Sequence, residues 1–369
     1  MALAFEDMDF GPPDYKDMLP ATLKDNYGKW KYHEHIKPGV FKHVSESGKE
    51  VYTVRTGGPK FISSATIRDM CDVADKYCES TLRFTSKHSI EWIIPKKEDV
   101  DKLIKEVKKM GLPVGGTGNA MHSIVQCTGW VHCHTAATDG PGIAKAVSDE
   151  LIDYFQRDDL PARLNIAASG CLNMCGAVHC SDIALLGMHR VAPPVDDSIV
   201  STQCEVPSLI AACPTYAIKP KIIKEDDGTT RKSIAIDADK CMYCGICYGL
   251  CPGVPLANAE NDGVSIWVGG KVSGARGGAA FSRLAIPFIK NNPPRWPEVI
   301  DAVKKIVKEW AKDARQDERM GEWIDRIGWT AFFERTGIEF TEKHIDDYIF
   351  SVRDMNVGSR MKGSVLKKY

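Results

Sequence analysis

The run Cys241-Met-Tyr-Cys244-Gly-Ile-Cys247-Tyr-Gly-Leu-Cys251-Pro252 constrains this chain more than any other stretch. It reads C-x2-C-x2-C-x3-C-P, the spacing at which a coiled loop brings thiolates onto one [4Fe–4S] cubane. A zinc knuckle or a disulfide pair is the competing reading of close cysteines. Four in this register, followed by proline, are hard to reach by chance.

The surrounding composition fits a metal protein. Thirteen cysteines occur without a basic and then apolar leader, so metal ligation in a reducing, cytoplasmic and oxygen-free setting is expected, not a disulfide framework. The net charge is -1, so no whole-chain attraction to nucleic acid or membrane is expected. No apolar run approaches the roughly 18 residues of a bilayer span. The length, 369 residues, suits two or three domains.

Taken in order, residues 1–44 mix proline, aromatics and charge and read as an extended arm. Residues 45–115 read as a ferredoxin-like α+β domain. It starts with a strand at 51–55 and the Gly57-Gly58-Pro59 turn. A helix follows to about Cys78, capped by Ser64 or Thr66, with Ile67, Met70, Val73, Ala74 and Tyr77 on its buried face. Cys71 and Cys78 read as core. A basic strand over 81–92 and a helix over 97–110 complete the domain.

Residues 116–200 hold a second set of thiols. Cys127-x5-Cys133 and Cys171-x3-Cys175 each sit at the end of an expected strand, the latter at 163–170, with a helix between them at about 141–157. Residues 201–262 form a cysteine-bearing insert. Residues 263–369 give a return strand near 264–268 and helices at 297–313, about 319–336 and about 341–354. After that strand, Lys271 and Arg276 in a Gly-rich turn offer cations to carboxylates or phosphates.

Within the insert, Cys213-Pro resembles the end of a ferredoxin half whose earlier ligand positions are now Gln203, Val206 and Leu209. In two-cluster ferredoxins the last cysteine of each run serves the other cluster. The rule gives Cys241, Cys244, Cys247 and Cys213 as one ligand set and leaves Cys251 and Cys204 over. Cys251 as the fourth ligand is the alternative.

These features together resemble the siroheme-containing sulfite and nitrite reductase family, and within it the dissimilatory type. Beyond the cysteines, the resemblance is carried by Arg55…Gly57-Gly58, Arg83-Phe-Thr85-Ser-Lys87, Gly129-Trp130-Val131-His132-Cys133-His134 and Asn292-Pro293-Pro294-Arg295-Trp296. It implies siroheme-binding α+β domains, an inserted ferredoxin [4Fe–4S] domain and C-terminal helices. It implies siroheme and two [4Fe–4S] clusters, with Cys127, Cys133, Cys171 and Cys175 as ligands of the siroheme-linked cluster and Cys175 as the bridge. It places Arg55, Arg83 and Arg163 at substrate and haem contacts, with Lys87, His132, His134 and Arg190 as further cofactor contacts. The implied activity is six-electron reduction of sulfite toward sulfide or carrier-bound sulfur, with electrons entering at the ferredoxin cluster. The implied partners are a similarly folded alpha subunit in an α2β2 assembly, a small sulfur-carrier protein and an electron donor.

The chain departs from the family pattern in three places. Asn165 stands where many members have lysine. Gly170-Cys171 replaces a pair of adjacent cysteines, with Cys127 filling the vacancy. Cys180 is an extra thiol, read as a non-ligand. Two other readings remain: an electron-transfer subunit with a vestigial siroheme site, and a nitrite or assimilatory sulfite reductase.

Overall fold

β-branched and aromatic residues dominate Val40–Ser45, Glu50–Gly57 and Ser89–Ile94, and these segments form neighbouring strands of one sheet. The computed structural model describes residues 14–258, 260–272 and 278–344. The chain divides into two compact units, residues 1–123 with 153–163, and residues 124–152 with 164–369. Both mix helix and sheet, and the fold is α+β.

The first unit contains strands β1 (Trp30–Lys37), β2 (Val40–Ser45), β3 (Glu50–Gly57), β4 (Leu82–Phe84) and β5 (Ser89–Ile94). They form an antiparallel sheet in the order β1-β2-β3-β5-β4. Helices Ser64–Tyr77 and Val100–Lys109 bury Met70, Val73, Leu103 and Val107 in a core shared with Val54, Trp92 and Ile94.

Several expectations are corrected here. The segment read as an extended arm carries β1 and β2, because Val40 and Val44 are buried in the sheet. The helix cap is Ser63, whose Oγ accepts the Thr66 N–H at 3.1 Å, and Ile67 is 39% exposed. The single basic strand over 81–92 is a hairpin, since His88 takes φ 60° in the turn between β4 and β5. Cys71 is exposed, whereas Cys78 is buried in the core and burial pushes its thiol up to about 12.

In the second unit, β6 (Val125–Gln126), β7 (Ile166–Ser169) and β8 (Ile183–Met188) run parallel. The insert contributes the hairpin β9 (Ile218–Lys224) and β10 (Thr230–Ile236). Strands β11 (Gly263–Val268) and β12 (Arg283–Lys290) then extend the sheet antiparallel, in the order β12-β11-β8-β7-β6. A run of fully buried residues, Ile183–Leu186, marks β8 as the sheet's central strand. The insert has its own small core of Val200, Leu209, Ile218, Ile234, Cys251 and Val254.

The helix expected over 141–157 is two, Gly140–Glu150 and Ile152–Gln156. That over 319–336 is also two, broken at Gly328, where φ is 84°. Helix Pro297–Asp313 matches its expected bounds. The last expected helix lies outside the described residues beyond a short turn at Glu342–His344. No helix among the described residues is long and apolar enough to cross a membrane.

Candidate cluster sites and anion cavity

The sulfur-bearing loops owe their shape to left-handed residues that let the chain coil. In the insert, Tyr243 and Gly245 take φ 57° and 77°. The left-handed φ of Gly245 is what favours glycine there, since the 2.3 Å approach of a Cβ would be to the movable end of the Leu256 side chain. The coil places Cys241, Cys244 and Cys247 around one cavity with Cys213. The Ala217 N–H donates to Cys213 Sγ at 3.2 Å. Burial and then the neighbouring Cys244 push the Cys247 thiol up to about 11, and burial raises Cys241. Such crowded thiols are relieved when metal takes the place of their protons.

Cys251 is absent from that cavity lining. It is buried and disulfide-bonded to Cys204, with Cα atoms 5.5 Å apart. The two cysteines left over by the sequence reading are thus joined to each other, which the ligand spacing did not anticipate.

The second set forms at the ends of β6 and β7. The Cys127 N–H donates to the Ala168 carbonyl at 3.1 Å, and the Gly170 N–H donates to Cys127 Sγ at 3.0 Å. Burial raises the Cys127 thiol, and Cys171 and Cys175 raise it further, so the three sulfurs share one neighbourhood. Thr135 Oγ1 lies 3.4 Å from Cys133 Sγ and 3.7 Å from Cys171 Sγ, which brings in the fourth. Met174 and Ala177, at φ 53° and 62°, bend the loop that carries the exposed Cys175. Among the described residues no three Cys, His, Asp or Glu side chains converge closely enough for a single ion. Cys180 Sγ lies 3.6 Å from the Ala177 carbonyl.

The first unit holds a cavity of about 370 Å³ lined by Arg55, Arg83, Lys87, Ser89, His122 and Ser123 among others. Sheet register builds its charged wall, because Glu91 on β5 pairs with Arg55 on β3 and with Arg83 on β4. Glu91 Oε2 accepts from Arg55 at 3.0 Å and Oε1 accepts from Arg83 at 2.7 Å. Burial pushes the Glu91 carboxyl up, but Arg83 and Arg55 outweigh it and hold it below its ordinary range. Arg55 Nε is buried without a hydrogen-bond partner among the described residues. It is a donor awaiting an acceptor.

His122 is held down to about 3, first by burial and then by the Lys87 charge. Its ring is therefore neutral, and Lys87 Nζ donates to Nδ1 at 3.2 Å while Nε2 donates to the Gly118 carbonyl at 3.3 Å. Three cations, one carboxylate and a neutral imidazole leave the site with a net charge of +2, suited to an anion. Sequence reasoning missed Glu91 and His122. The signal for Glu91 was a lone carboxylate in the otherwise apolar run Ile90-Glu91-Trp92-Ile93-Ile94.

The remaining expected contacts fall elsewhere. Arg163 is exposed and outside the cavity lining, though its charge helps keep His122 neutral. His132 is exposed. His134 is exposed with its ring 4.7 Å from that of Tyr248, next to Cys247. Arg190 is exposed and sits over the Phe288 ring at 5.0 Å. Lys271 is a correction: it is buried and ion-paired to Glu322 at 2.6 Å, so its charge is not offered to a ligand. Arg276 lies outside the described residues. At Asn165, the backbone N–H donates to Asp182 Oδ2 at 2.8 Å.

Comparison with known proteins identifies the family. The family described as "Nitrite and sulphite reductase 4Fe-4S domain" matches residues 117–344, and "Nitrite/Sulfite reductase ferredoxin-like half domain" matches residues 43–110. The chain belongs to this family of iron–sulfur oxidoreductases. It is 49% identical over 347 residues to "Sulfite reductase, dissimilatory-type subunit beta" of Archaeoglobus fulgidus, covering 92% of this chain and 93% of that protein. To the protein of the same description from Nitratidesulfovibrio vulgaris it is 44% identical, covering 92% and 91%. Within the family it groups with the beta subunits of dissimilatory-type sulfite reductases. The fold is also that of a solved dissimilatory sulfite reductase I, with TM-score 0.75 at 21% identity over 86% of this chain and 79% of that one.

Proposed function

We propose that this chain is the beta subunit of a cytoplasmic dissimilatory sulfite reductase that carries one siroheme and two [4Fe–4S] clusters. The observation that carries the reading is the gathering of Cys127, Cys133, Cys171 and Cys175 at the ends of two parallel strands. Those four thiolates would hold the siroheme-linked cluster, with Cys175 as the ligand that would be shared with the haem. Cys213, Cys241, Cys244 and Cys247 hold the ferredoxin-type cluster where electrons enter. When bound, such a haem and cluster would supply electrons in succession to sulfur.

The protein's own residues bind and orient the anion. Each guanidinium has five N–H donors, and Glu91 engages only part of those on Arg55 and Arg83. The remaining donors meet sulfite oxygens, and Arg163, outside the cavity lining, adds to the site's field through its charge. Lys87 Nζ would donate one of the two protons that each oxygen needs to leave as water, the second coming from solvent, and neutral His122 holds the ammonium in place. An alpha subunit in an α2β2 assembly, a sulfur-carrier protein and an electron donor complete the system.

A second reading, in which this chain's siroheme does not turn over substrate, draws on the neutral Asn165 and on the commitment of both arginines to Glu91. Arg55→Ala and Arg83→Ala in the assembled enzyme separate the two. Loss of sulfite turnover with siroheme retained supports catalysis here, and unchanged turnover places catalysis on the partner.

A further inference from the structure

A buried polar chain runs behind the second thiol set, and neither ligation nor the anion cavity uses it. Thr135 Oγ1 lies 3.4 Å from Cys133 Sγ and 3.7 Å from Cys171 Sγ. The Thr135 carbonyl accepts from His189 Nε2 at 2.9 Å. On the other side of that ring, Nδ1 meets Asp262 Oδ2 at 2.9 Å, and both side chains are 1% exposed. Asp262 Oδ2 also accepts the Asn258 N–H at 2.8 Å, while Oδ1 is buried without a hydrogen-bond partner among the described residues. Asn291 fixes the same loop further on, donating to the Ala137 carbonyl at 2.7 Å and accepting from the Thr138 hydroxyl at 2.8 Å.

Such a pair is an expensive way to fill a core. A buried His–Asp couple loses hydration, and an apolar pair of similar size packs as well or better. Its directed bonds do what an apolar pair does not: they fix one backbone carbonyl, and with it the direction of one hydroxyl. When Cys133 and Cys171 are deprotonated on iron, that hydroxyl is the only possible donor in the contact.

We propose that Asp262, His189 and Thr135 form a positioning relay that sets the reduction potential of the cluster held by this set. The inference rests on the ligand assignment made above. Asp262 fixes the ring, the ring holds the Thr135 backbone, and the Thr135 hydroxyl donates to the thiolate sulfurs. A hydrogen bond to a ligating sulfur favours the more negative, reduced cluster and so raises its potential.

The test is an EPR-monitored reductive titration of the anaerobic holoenzyme, preceded by an iron count of wild type and Cys171→Ser. If Cys171→Ser loses no iron, the ligand assignment fails, and that failure is seen before any titration. With the assignment intact, Thr135→Val at full iron content lowers the reduction equilibrium constant about fivefold to tenfold, as loss of one hydrogen bond implies; tenfold is about 59 mV for one electron. Thr135→Ser, which keeps the hydroxyl, restores the wild-type potential. His189→Gln shifts the potential in the same direction, but adds nothing in the Thr135→Val background. A Thr135→Val enzyme with full iron and wild-type potential overturns the proposal, as do additive shifts in the double variant. Should His189→Gln fail to fold, the Thr135 pair decides alone.

Discussion

Glu91→Gln in the first-unit cavity sets two physical effects against each other. The carboxylate is 5% exposed and accepts from Arg55 at 3.0 Å and Arg83 at 2.7 Å, whose side chains are 26% and 58% exposed. Removing its charge raises the net charge of the site, which on Coulomb's law after screening favours an anion by about 1 kcal/mol. It also releases two guanidiniums from fixed directions, and each charge-assisted hydrogen bond that no longer reaches the anion loses about 1.5–3 kcal/mol. Positioning outweighs charge, so sulfite affinity falls about tenfold, or about 1.4 kcal/mol. Stability falls by about 1–2 kcal/mol, less than for a fully buried pair because both arginines are partly solvated. The assay is an equilibrium sulfite titration of the anaerobic holoenzyme followed by its visible spectrum. Unchanged or tighter binding would refute the reasoning and leave net charge as the determinant. The pH dependence follows from the depressed Glu91 carboxyl. Its contribution is present above the unfolded pKa and disappears as pH falls through the lower folded value. Wild-type affinity is therefore flat through neutral and mildly acidic pH on account of this group, and approaches that of the variant only below the usual carboxylate range.

Further outcomes follow from other residues. Cys213→Ser loses the insert's cluster, whereas Cys251→Ser keeps its iron; the reverse pattern, read by iron analysis, would make Cys251 the ligand. Because the His122 ring titrates near 3, the sulfite-affinity profile has no inflection from it near its ordinary value of about 6.5; an inflection there that His122→Gln removes would contradict this. Lys271→Met strands a mostly buried Glu322 and destabilises the second unit by about 3–5 kcal/mol in denaturant titrations while leaving sulfite affinity unchanged. His134→Ala removes a ring contact between neighbours of Cys133 and Cys247, and is expected to slow electron passage between the two thiol sets in rapid-freeze EPR without changing either potential.

The cysteine spacings were legible because the members of each motif lie a few residues apart in the chain. Helix Pro297–Asp313 was legible through its strong 3.6-residue apolar period, with Val299, Val303, Ile306 and Trp310 buried. What the sequence hid depends on long-range pairing. Glu91 joins Arg55 and Arg83 only through strand register, across 36 and 8 residues. Trp30–Lys37 gave no strand signal because all eight of its residues are exposed on a sheet edge. Lys271 read as a free cation because Glu322, its partner, lies 51 residues on. The Cys204–Cys251 bond spans 47 residues, and connectivity cannot be counted out from spacing alone.

The most direct test of the central claim is iron and siroheme content, with the anaerobic visible spectrum, of this chain purified with its partner. Two cubanes and one haem predict about nine irons for this chain, with a siroheme band that shifts when sulfite is added. About eight irons, with siroheme absent and no response to sulfite, would leave an iron–sulfur electron carrier and contradict the assignment of sulfite chemistry to this chain.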